Sequence, residues 1–310
     1  MLFLLSRSAA IAPRRGTTAA VGKIRGSSVL SSKTAVFSSM GTSGGSGASR
    51  MVSIPASEVA AVVGRNPYKP ASEVFNMLWQ RWSPSTFEGT TKIDELIEAY
   101  GRLNVETQEL MDRAATYKAS DAVDAVSTLR NATSIIQKSE LIDAEDKGKV
   151  IELLKTQVST GHGIRTEDKV VEKVAKDEGI TFQQDTELYS VPVLDFADEM
   201  EGGKEFVIRG KIDRLQQDED GELVLVEVKS RMKRLFYEVR DYEYIQVQAY
   251  FQMLPPQIRR AKLIEQYMDE TNTMIIERDD DFWHEEIEPA LLLFCEDLNK
   301  AMLGLQADGE

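Results

Sequence analysis

The run Leu223–Lys229, with the sequence LVLVEVK, constrains the fold more than any other stretch of the chain. Its four consecutive apolar residues predict a β-strand that is buried on both faces. Because side chains alternate along a strand, Glu227 and Lys229 share one face, and the two valines beside them share the other. A carboxylate and an amine at the end of a buried strand are costly unless they are paired or bound to something. The run therefore predicts an interior strand that ends at a charged site.

A second acidic residue, Asp213, lies near the end of the preceding strand-like segment, Glu205–Leu215. The polar loop between the two segments contains an Asp-Gly pair, which is a hairpin turn signal, so Asp213 can lie beside Glu227. Two carboxylates that converge at a strand end form a hard-oxygen site suited to Mg²⁺. Such a metal can polarise a phosphodiester oxygen, and the amine of Lys229 can orient the attacking water. Taken alone, a Glu-x-Lys pair also fits an ordinary exposed edge hairpin.

The rest of the folded part alternates between helical and strand-like patterns. Helices are predicted at residues 57–64, 71–82, 166–177 and 242–254, with three or four more between about 90 and 160 and an amphipathic helix at the C-terminus. Strands are predicted at residues 188–194, 205–215, 222–229, 262–268 and 273–277. This order predicts an α/β fold with a mixed central β-sheet flanked by helices, and with an inserted helical segment at about 90–160.

Cysteine and histidine are too scarce to carry several common kinds of enzyme chemistry. The chain contains one cysteine, Cys295, and two histidines, His162 and His284. This set cannot supply a disulfide or a structural zinc site, and it leaves little room for a Ser-His or Cys-His system. Cys295 falls on an apolar helical stripe, so we expect it in the core. No run of about 18 apolar residues is present, so no membrane-spanning helix is predicted.

The N-terminal part of the chain has an unusual charge pattern. Residues 1–57 contain no acidic residue and seven basic ones, namely Arg7, Arg14, Arg15, Lys23, Arg25, Lys33 and Arg50. A segment that is rich in Arg and Ser and free of acids is typical of an organelle transit peptide. We expect a mitochondrial location first and a plastid second, and the alternative is a basic tail without targeting. The Gly- and Ser-rich stretch 41–49 is a flexible linker by composition, so residues 1–48 are predicted to precede the folded part.

The folded part is strongly acidic. Removing residues 1–49 takes six positive charges from a chain whose net charge is −14, which leaves about −20. That balance argues against a broadly basic nucleic-acid-binding surface but allows a local basic track. Candidates for such a track, which a solvated charge cluster explains equally well, are Arg231, Lys233, Arg234, Arg259, Arg260 and Lys262.

Two motifs in the second half of the chain give the site a family resemblance. The pattern Asp213-x13-Glu227-x-Lys229 resembles that of the PD-(D/E)XK nuclease superfamily, with Ile212 in place of the proline. Downstream, Gln246-Val247-Gln248-Ala249-Tyr250 resembles the Q-x-x-x-Y motif of the RecB-like branch. Residues four apart lie on one face of a helix, so Gln246 and Tyr250 are expected to point the same way.

Two further motifs precede these in the order that the branch shows. Gly163-Ile164-Arg165-Thr166-Glu167 resembles the G-x-x-x-E helix of the lambda-exonuclease and YqaJ-like branch. The stretch Ile54–Lys69, with Ala-Ser-Glu near its start and Gly-x-Asn-Pro-Tyr near its end, resembles the opening signature of that branch. Members of the branch hold a terminal phosphate with a Ser and an Arg seven residues before it, a spacing that Arg50 and Ser57 share.

The resemblance implies a restriction-endonuclease-like core at residues 49–310 and Mg²⁺-dependent hydrolysis of DNA, with Mn²⁺ able to substitute. It implies metal binding by the following groups: Asp213, Glu227, Glu167 and the Val228 carbonyl. Lys229 would position the attacking water and Gln246 would support it. Substrate contacts are expected from Arg50, Ser57, Tyr250, Arg231 and Lys233. For Tyr250 the alternative is core packing, and for Arg50 it is the last residue of the transit segment.

Three functional interpretations follow from these patterns. The first is an organellar DNA exonuclease, acting on double-stranded ends in repair or recombination. The second is a non-catalytic nucleic-acid-binding relative, and the third is a scaffold protein that binds partners through residues 90–160. The motifs leave open the cleavage polarity, the choice between DNA and RNA or single and double strands, and exonuclease against endonuclease action. Ring-forming oligomers occur in the lambda-exonuclease branch, so a homo-oligomer is a further expectation.

Overall fold

The strands form two separate mixed sheets. The computed structural model describes residues 50–140, 142–196, 202–218 and 220–305, so the predicted transit peptide and linker at 1–48 lie outside the described residues. The strands are β1 Met51–Pro55, β2 Phe182–Gln184, β3 Tyr189–Asp195, β4 Glu205–Gly210, β5 Arg214–Gln217, β6 Leu223–Ser230, β7 Arg260–Tyr267 and β8 Glu270–Glu277. One sheet has the order β1-β4-β3 and the other β2-β5-β6-β7-β8. Only the β1–β4 and β6–β7 pairs among these strands are parallel.

Helices flank both sheets. They are α1 Val59–Val62, α2 Ala71–Trp82, α3 Lys92–Gly101, α4 Val105–Thr116, α5 Ala122–Lys138, α6 Ala144–Glu178, α7 Asp241–Met253, α8 Asp280–Phe282 and α9 Glu288–Met302. A 3-10 turn at Ala56–Glu58 precedes α1, and a π turn at Trp283–Ile287 joins α8 to α9. The predicted α/β class with helix-flanked mixed strands is confirmed. None of the helices in the described ranges is both long and apolar enough to cross a membrane.

The predicted strand Glu205–Leu215 is in fact divided between the two sheets. β4 ends at Gly210 and β5 begins at Arg214, and Asp213 lies in the crossing between them. A Cβ atom at Gly210 would lie 2.9 Å from Cε1 of Tyr250 and 3.1 Å from Cβ of Ala56, so a side chain does not fit there without a shift. The prediction of one continuous strand was wrong because β4 ends where its main chain packs closely against Tyr250 and Ala56. Both residues are far from Gly210 in sequence, so a local pattern does not show this contact.

Strand β6 lies between two helices. Val226 and Val228 pack in a small core that includes Val170 and Val174 of α6. The other face, represented by Leu225, belongs to the largest core, to which α7 also contributes. The predicted alternation of faces is therefore confirmed, and it places Glu227 and Lys229 on the side of α7.

Residues 92–160 form a helical module with a core of its own. The buried side chains of this core include Met111, Ile136 and Leu154. Helical structure was predicted here, but a separate helix starting near Thr166 was not found, because α6 runs unbroken for 35 residues. Its interior glycines cost only about 1 kcal/mol each relative to alanine, a cost that packing of both helix halves can offset. Gly179 ends α6 in the left-handed conformation, with φ of 69°.

The C-terminal amphipathic helix was predicted as one element from Phe282 to Met302. The described chain instead has a π turn just before Pro289, which stands in the first turn of α9. Proline has no N–H to donate, so it disfavours a continuous α-helical bond pattern at this point. The apolar stripe itself is buried as predicted, and Cys295 is fully buried within it.

Candidate active site

The hairpin of β5 and β6 brings the two predicted carboxylates together. Arg214 pairs with Val226 in this antiparallel ladder, so Asp213 stands opposite Glu227 one step further along. Oδ2 of Asp213 accepts a hydrogen bond of 2.8 Å from the main-chain N–H of Val228. This bond orients the Asp213 side chain toward the strand that carries Glu227.

Buried Glu227 and Gln246 form a hydrogen-bonded group with the half-buried Lys229 next to Asp213, and we call these four residues the carboxylate site. Nζ of Lys229 donates to Oε1 of Glu227 at 2.7 Å and to Oε1 of Gln246 at 3.0 Å. Nε2 of Gln246 donates to the same Glu227 oxygen at 3.1 Å. The other carboxylate oxygen of Glu227, Oε2, is buried and has no hydrogen-bond partner among the described residues.

That unpartnered oxygen provides a test of whether a metal fits. A buried carboxylate oxygen without a partner is costly, and a divalent cation would remove that cost. No group of three or more Asp, Glu, His or Cys side chains in the described ranges is arranged to hold a metal ion. A metal held by the two side chains Asp213 and Glu227 would need further oxygen ligands, which the Val228 carbonyl and water would supply. An all-oxygen set that leaves room for water suits Mg²⁺.

The ionisation of the carboxylate site reflects its burial. Burial raises the pKa of Asp213 to about 6, against the lowering effect of the Val228 N–H. Burial also raises the pKa of Glu227 to about 7, and the nearby charge of Asp213 adds to this rise. For Lys229, burial lowers the pKa, but the charge of Glu227 and its hydrogen bond, together with the charges of Glu243 and Asp213, outweigh burial, and the pKa is raised overall. Near neutral pH the site therefore contains a cationic amine and carboxyl groups that a metal would deprotonate.

Glu167 reaches the site from α6, as the motif predicted, but through an arginine. Its Oε1 accepts a hydrogen bond of 3.3 Å from Nη1 of Arg214. Arg214 is buried, and it also donates to the main-chain oxygen of Asp213 and to the carboxylate of Asp168. Burial raises the pKa of Glu167, to which the charge of Glu227 also contributes. Arg214 was missed from sequence, although a cation directly after Asp213 in a strand was the available signal.

The predicted substrate contact by Arg231 is not supported by its position. Its guanidinium binds both carboxylate oxygens of Glu243, at 2.6 and 2.9 Å, and Oε1 of Glu265 at 2.7 Å. Both acids are at most 1% exposed. Oε2 of Glu265 in turn accepts the main-chain N–H groups of Phe236 and Tyr237. We call Arg231, Glu243 and Glu265 the arginine cluster, and its contacts show that it holds the loop that follows β6.

Tyr250 shows the core-packing alternative, and the predicted terminal-phosphate pair lies at the two ends of β1. Tyr250 is 5% exposed, and its hydroxyl accepts a hydrogen bond of 2.8 Å from Gln246, so it supports Gln246. Arg50 and Ser57 are both exposed, with the whole of β1 between them. Their joint contact with a terminal phosphate stays a prediction.

Most of the other candidate cations have acidic partners. Arg259 pairs with Asp280, Arg260 with Asp218 and Glu222, and Lys262 with Glu178. Lys233 and Arg234 are exposed, and Arg234 lies 5.8 Å from the Phe236 ring. A continuous basic track is therefore not formed by the predicted set. His162 is buried beside a separate cavity of 230 Å³, and His284 is exposed and pairs with Glu288.

Comparison with known proteins gives three results. A model of the PD-(D/E)XK nuclease superfamily matches residues 107–279, which include Glu167 and the whole carboxylate site. No curated protein sequence matches the chain. Among solved structures, the crystal structure of SSO0001 is similar, with 15% identity and a TM-score of 0.33, over 66% of this chain and 88% of that one.

Proposed function

Because the chain belongs to the PD-(D/E)XK nuclease superfamily, we propose that it is a Mg²⁺-dependent deoxyribonuclease that degrades linear DNA from its ends. The observation that carries this proposal is the buried Oε2 of Glu227, which has no hydrogen-bond partner in the described part of the chain and stands beside Asp213 and the amine of Lys229. Because an unpartnered buried carboxylate oxygen is costly, a divalent cation bound beside it would stabilise the site. The four motifs support the lambda-exonuclease and YqaJ-like branch, and with it exonuclease action.

Each residue of the site has a separate role in this proposal. Asp213, Glu227 and the Val228 carbonyl would hold Mg²⁺, which when bound lowers the pKa of its water and neutralises charge on the phosphate. Lys229 keeps its proton and orients the attacking water. Gln246 fixes both Lys229 and Glu227, and the Tyr250 hydroxyl fixes Gln246.

Glu167 and Arg214 form the outer wall of the proposed site. Glu167 is partly exposed and already carries a hydrogen bond from Arg214, so a role through a bound water fits it better than direct metal binding. Arg214 holds Glu167 and the main chain of Asp213 in one arrangement. We assign Arg214 a positioning role.

The test of this proposal is a cleavage assay with the full chain. Linear duplex, linear single-stranded and closed circular DNA are incubated with Mg²⁺, with Mn²⁺ and with EDTA. We expect degradation of linear DNA with either metal, and none with EDTA or with Lys229→Ala. Lys149→Ala, a lysine of the helical module that pairs with Glu145, is the matched control and should keep full activity. Cleavage of closed circles would show an endonuclease, and binding without any cleavage would show a non-catalytic relative.

The cellular role is part of the same proposal. The basic, acid-free residues 1–48 support import into mitochondria, with plastids as the alternative, and a role in organellar DNA repair or recombination. A fusion of residues 1–48 to a fluorescent protein, imaged in cells, tests the location directly. A diffuse cytosolic signal would contradict it.

A further inference from the structure

The face of α7 that carries Gln246 and Tyr250 also carries Tyr242, which lies nearer to the protein surface. Tyr242, Gln246 and Tyr250 are spaced by four and therefore lie along one face of the helix. Gln246 and Tyr250 are buried at the inner end, whereas Tyr242 is only partly buried at the first turn. One helical turn separates Tyr242 from Gln246, which accepts a hydrogen bond from Lys229, so Tyr242 lies at the outer side of the carboxylate site.

A second tyrosine lies against the outer end of this face. The ring of Tyr68 is 5.8 Å from the ring of Tyr242, centroid to centroid, in an edge-on arrangement of 80°. Tyr68 is nevertheless 76% exposed, the largest exposed fraction of any large hydrophobic side chain in the described ranges. Only an edge contact is used, so most of its aromatic surface is open to solvent.

The loop that carries Tyr68 is held in place by polar contacts. The main-chain N–H of Tyr68 donates to Oδ1 of Asn66 at 2.9 Å, and Nζ of Lys69 pairs with Glu58 at 2.8 Å. Glu58 belongs to the turn that leads into α1, so the loop is tied to the body of the domain. These contacts fix the main chain that carries the exposed ring. These residues belong to the Asn-Pro-Tyr part of the opening motif, for which the nuclease chemistry gave no role.

We propose that Tyr68 and Tyr242 form a stacking platform for an unpaired nucleobase at the entrance to the carboxylate site. This inference rests on the proposed nuclease function and narrows its substrate. Every nucleobase has a planar face that can stack on an aromatic ring, whatever the sequence. Inside a duplex both faces of a base are covered by its neighbours, and at a blunt end only the outer face of the last base pair is open. An unpaired base can leave the stack and present either face to the ring, so the platform favours a frayed or single-stranded end over a blunt duplex end.

The charges of the domain support stacking as a source of affinity. Nucleic-acid binding usually depends on Lys and Arg contacts to phosphates, and it weakens steeply with salt. Here the chain has a net charge of −14, and the candidate cations Arg259, Arg260 and Lys262 have acidic partners. Contacts that need no net positive charge therefore add to whatever the exposed Lys233 and Arg234 contribute. Because stacking does not involve the phosphates, we expect the loss of binding in Tyr68→Leu to be similar at low and high ionic strength.

The experiment measures binding separately from cleavage. Labelled single-stranded and blunt duplex oligonucleotides of one length are titrated with the full chain by fluorescence anisotropy, with Ca²⁺ in place of Mg²⁺. Tyr68→Leu keeps an apolar side chain but removes the aromatic face, and Tyr68→Phe keeps the face. We expect Tyr68→Leu to weaken single-strand binding by about tenfold and duplex binding much less. Tyr68→Phe should stay within about twofold of the original protein, since stacking needs no hydroxyl.

Each other outcome overturns the proposal. Unchanged single-strand binding in Tyr68→Leu would exclude the platform, and an equal loss for both DNAs would exclude the preference for unpaired ends. A change in oligomeric state by light scattering, without a change in DNA binding, would assign the ring to a protein interface. The nuclease proposal is tested by a different measurement, namely cleavage with Mg²⁺. If the protein never cut DNA but Tyr68→Leu still lost single-strand binding, the nuclease proposal would be wrong and the stacking platform would be supported.

Discussion

Two buried charge groups lie side by side on β6, β7 and α7, and they are built in opposite ways. The arginine cluster matches one guanidinium to two carboxylates, and Oε2 of Glu265 also accepts two main-chain N–H groups. In the carboxylate site, Oε2 of Glu227 has no partner within the described ranges, and the pKa values of Asp213 and Glu227 are raised by burial. Lys229 and Arg231 are only two residues apart in the chain, yet they belong to different groups. The hydrogen bonds of the arginine cluster are satisfied, and those of the carboxylate site are not. The satisfied group stabilises the fold, and the unsatisfied group is where a ligand is expected.

The largest effect is expected from the substitution Glu227→Gln in the carboxylate site. Replacing the carboxylate by an amide of the same shape removes a metal ligand, so activity on linear DNA should fall by about 10²–10³-fold or more. The metal-free protein should lose less stability than Arg231→Leu does, because an amide oxygen can still accept a hydrogen bond from Lys229, whose side chain is 22% exposed and keeps contact with water. Cleavage rates and urea unfolding of the same preparation check both halves. A large loss of stability without Mg²⁺ would show that the site is structural.

The reverse behaviour is expected for Arg231→Leu. Removing the guanidinium leaves Glu243 and Glu265 buried without a partner, which should cost about 3–5 kcal/mol of unfolding free energy. Urea denaturation measures this cost, and Arg260→Leu, which breaks an exposed ion pair, is the matched control with a much smaller expected effect. If Arg231→Leu left stability unchanged and weakened DNA binding alone, the original prediction of a substrate contact would be restored.

The pH dependence of stability should also distinguish the carboxylate site from the arginine cluster. Asp213 and Glu227 have pKa values of about 6 and 7 in the folded protein, above their ordinary values of 3.8 and 4.5. Their contribution to the stability of the metal-free protein is therefore fully present below about pH 4 and is lost as the pH rises through 6 to 7. Mg²⁺ competes with these protons, so its stabilising effect should be large at pH 8 and should disappear toward pH 5.

Thermal unfolding with Mg²⁺ or EDTA between pH 5 and 8 tests this dependence. At a metal concentration about 100 times the Kd, the added stability at pH 8 is about 2.7 kcal/mol. Glu227→Gln should remove most of the pH-dependent difference, whereas Arg260→Leu should leave it intact. A Mg²⁺ effect of equal size at every pH would place the metal elsewhere.

The smallest expected effect is that of Tyr250→Phe. This change removes the hydroxyl that accepts a hydrogen bond from Gln246 and leaves the packed ring in the core. Outer hydrogen bonds of this kind typically contribute about 10–100-fold to activity or metal affinity, and we expect a value near the lower limit. Steady-state kinetics should show a lower kcat with little change in KM. A raised KM alone would indicate that Tyr250 contacts the substrate.

Sequence patterns predicted the inner strand well because its signals are local. Alternation along β6 placed Glu227 and Lys229 on one face, and the spacing of Gln246 and Tyr250 placed both on one side of α7. The crossing at Asp213 could not be predicted in the same way, since it depends on Tyr250 approaching Gly210. Strand β1 was missed for a related reason: its partner β4 lies about 150 residues away in the chain.

The residues around the site show the same limit. Arg231 was a reasonable surface cation by sequence, and only the folded chain reveals that Glu243 and Glu265 enclose it. Arg214 was passed over because a single arginine in a strand carries no motif of its own. In both cases burial decides the role of the cation, and burial is set by partners that are distant in sequence.

The unbroken helix α6 makes the helical module and the site mechanically dependent on each other. Its 35 residues form a rod on the order of 50 Å long, with one end fixed in the core of the module and the other against β6. In its C-terminal half it carries Glu167, and the neighbouring Thr166 is hydrogen-bonded to Ser230 at 2.7 Å. A tilt of the helical module would therefore also move the last residues of β6, the strand that holds Lys229.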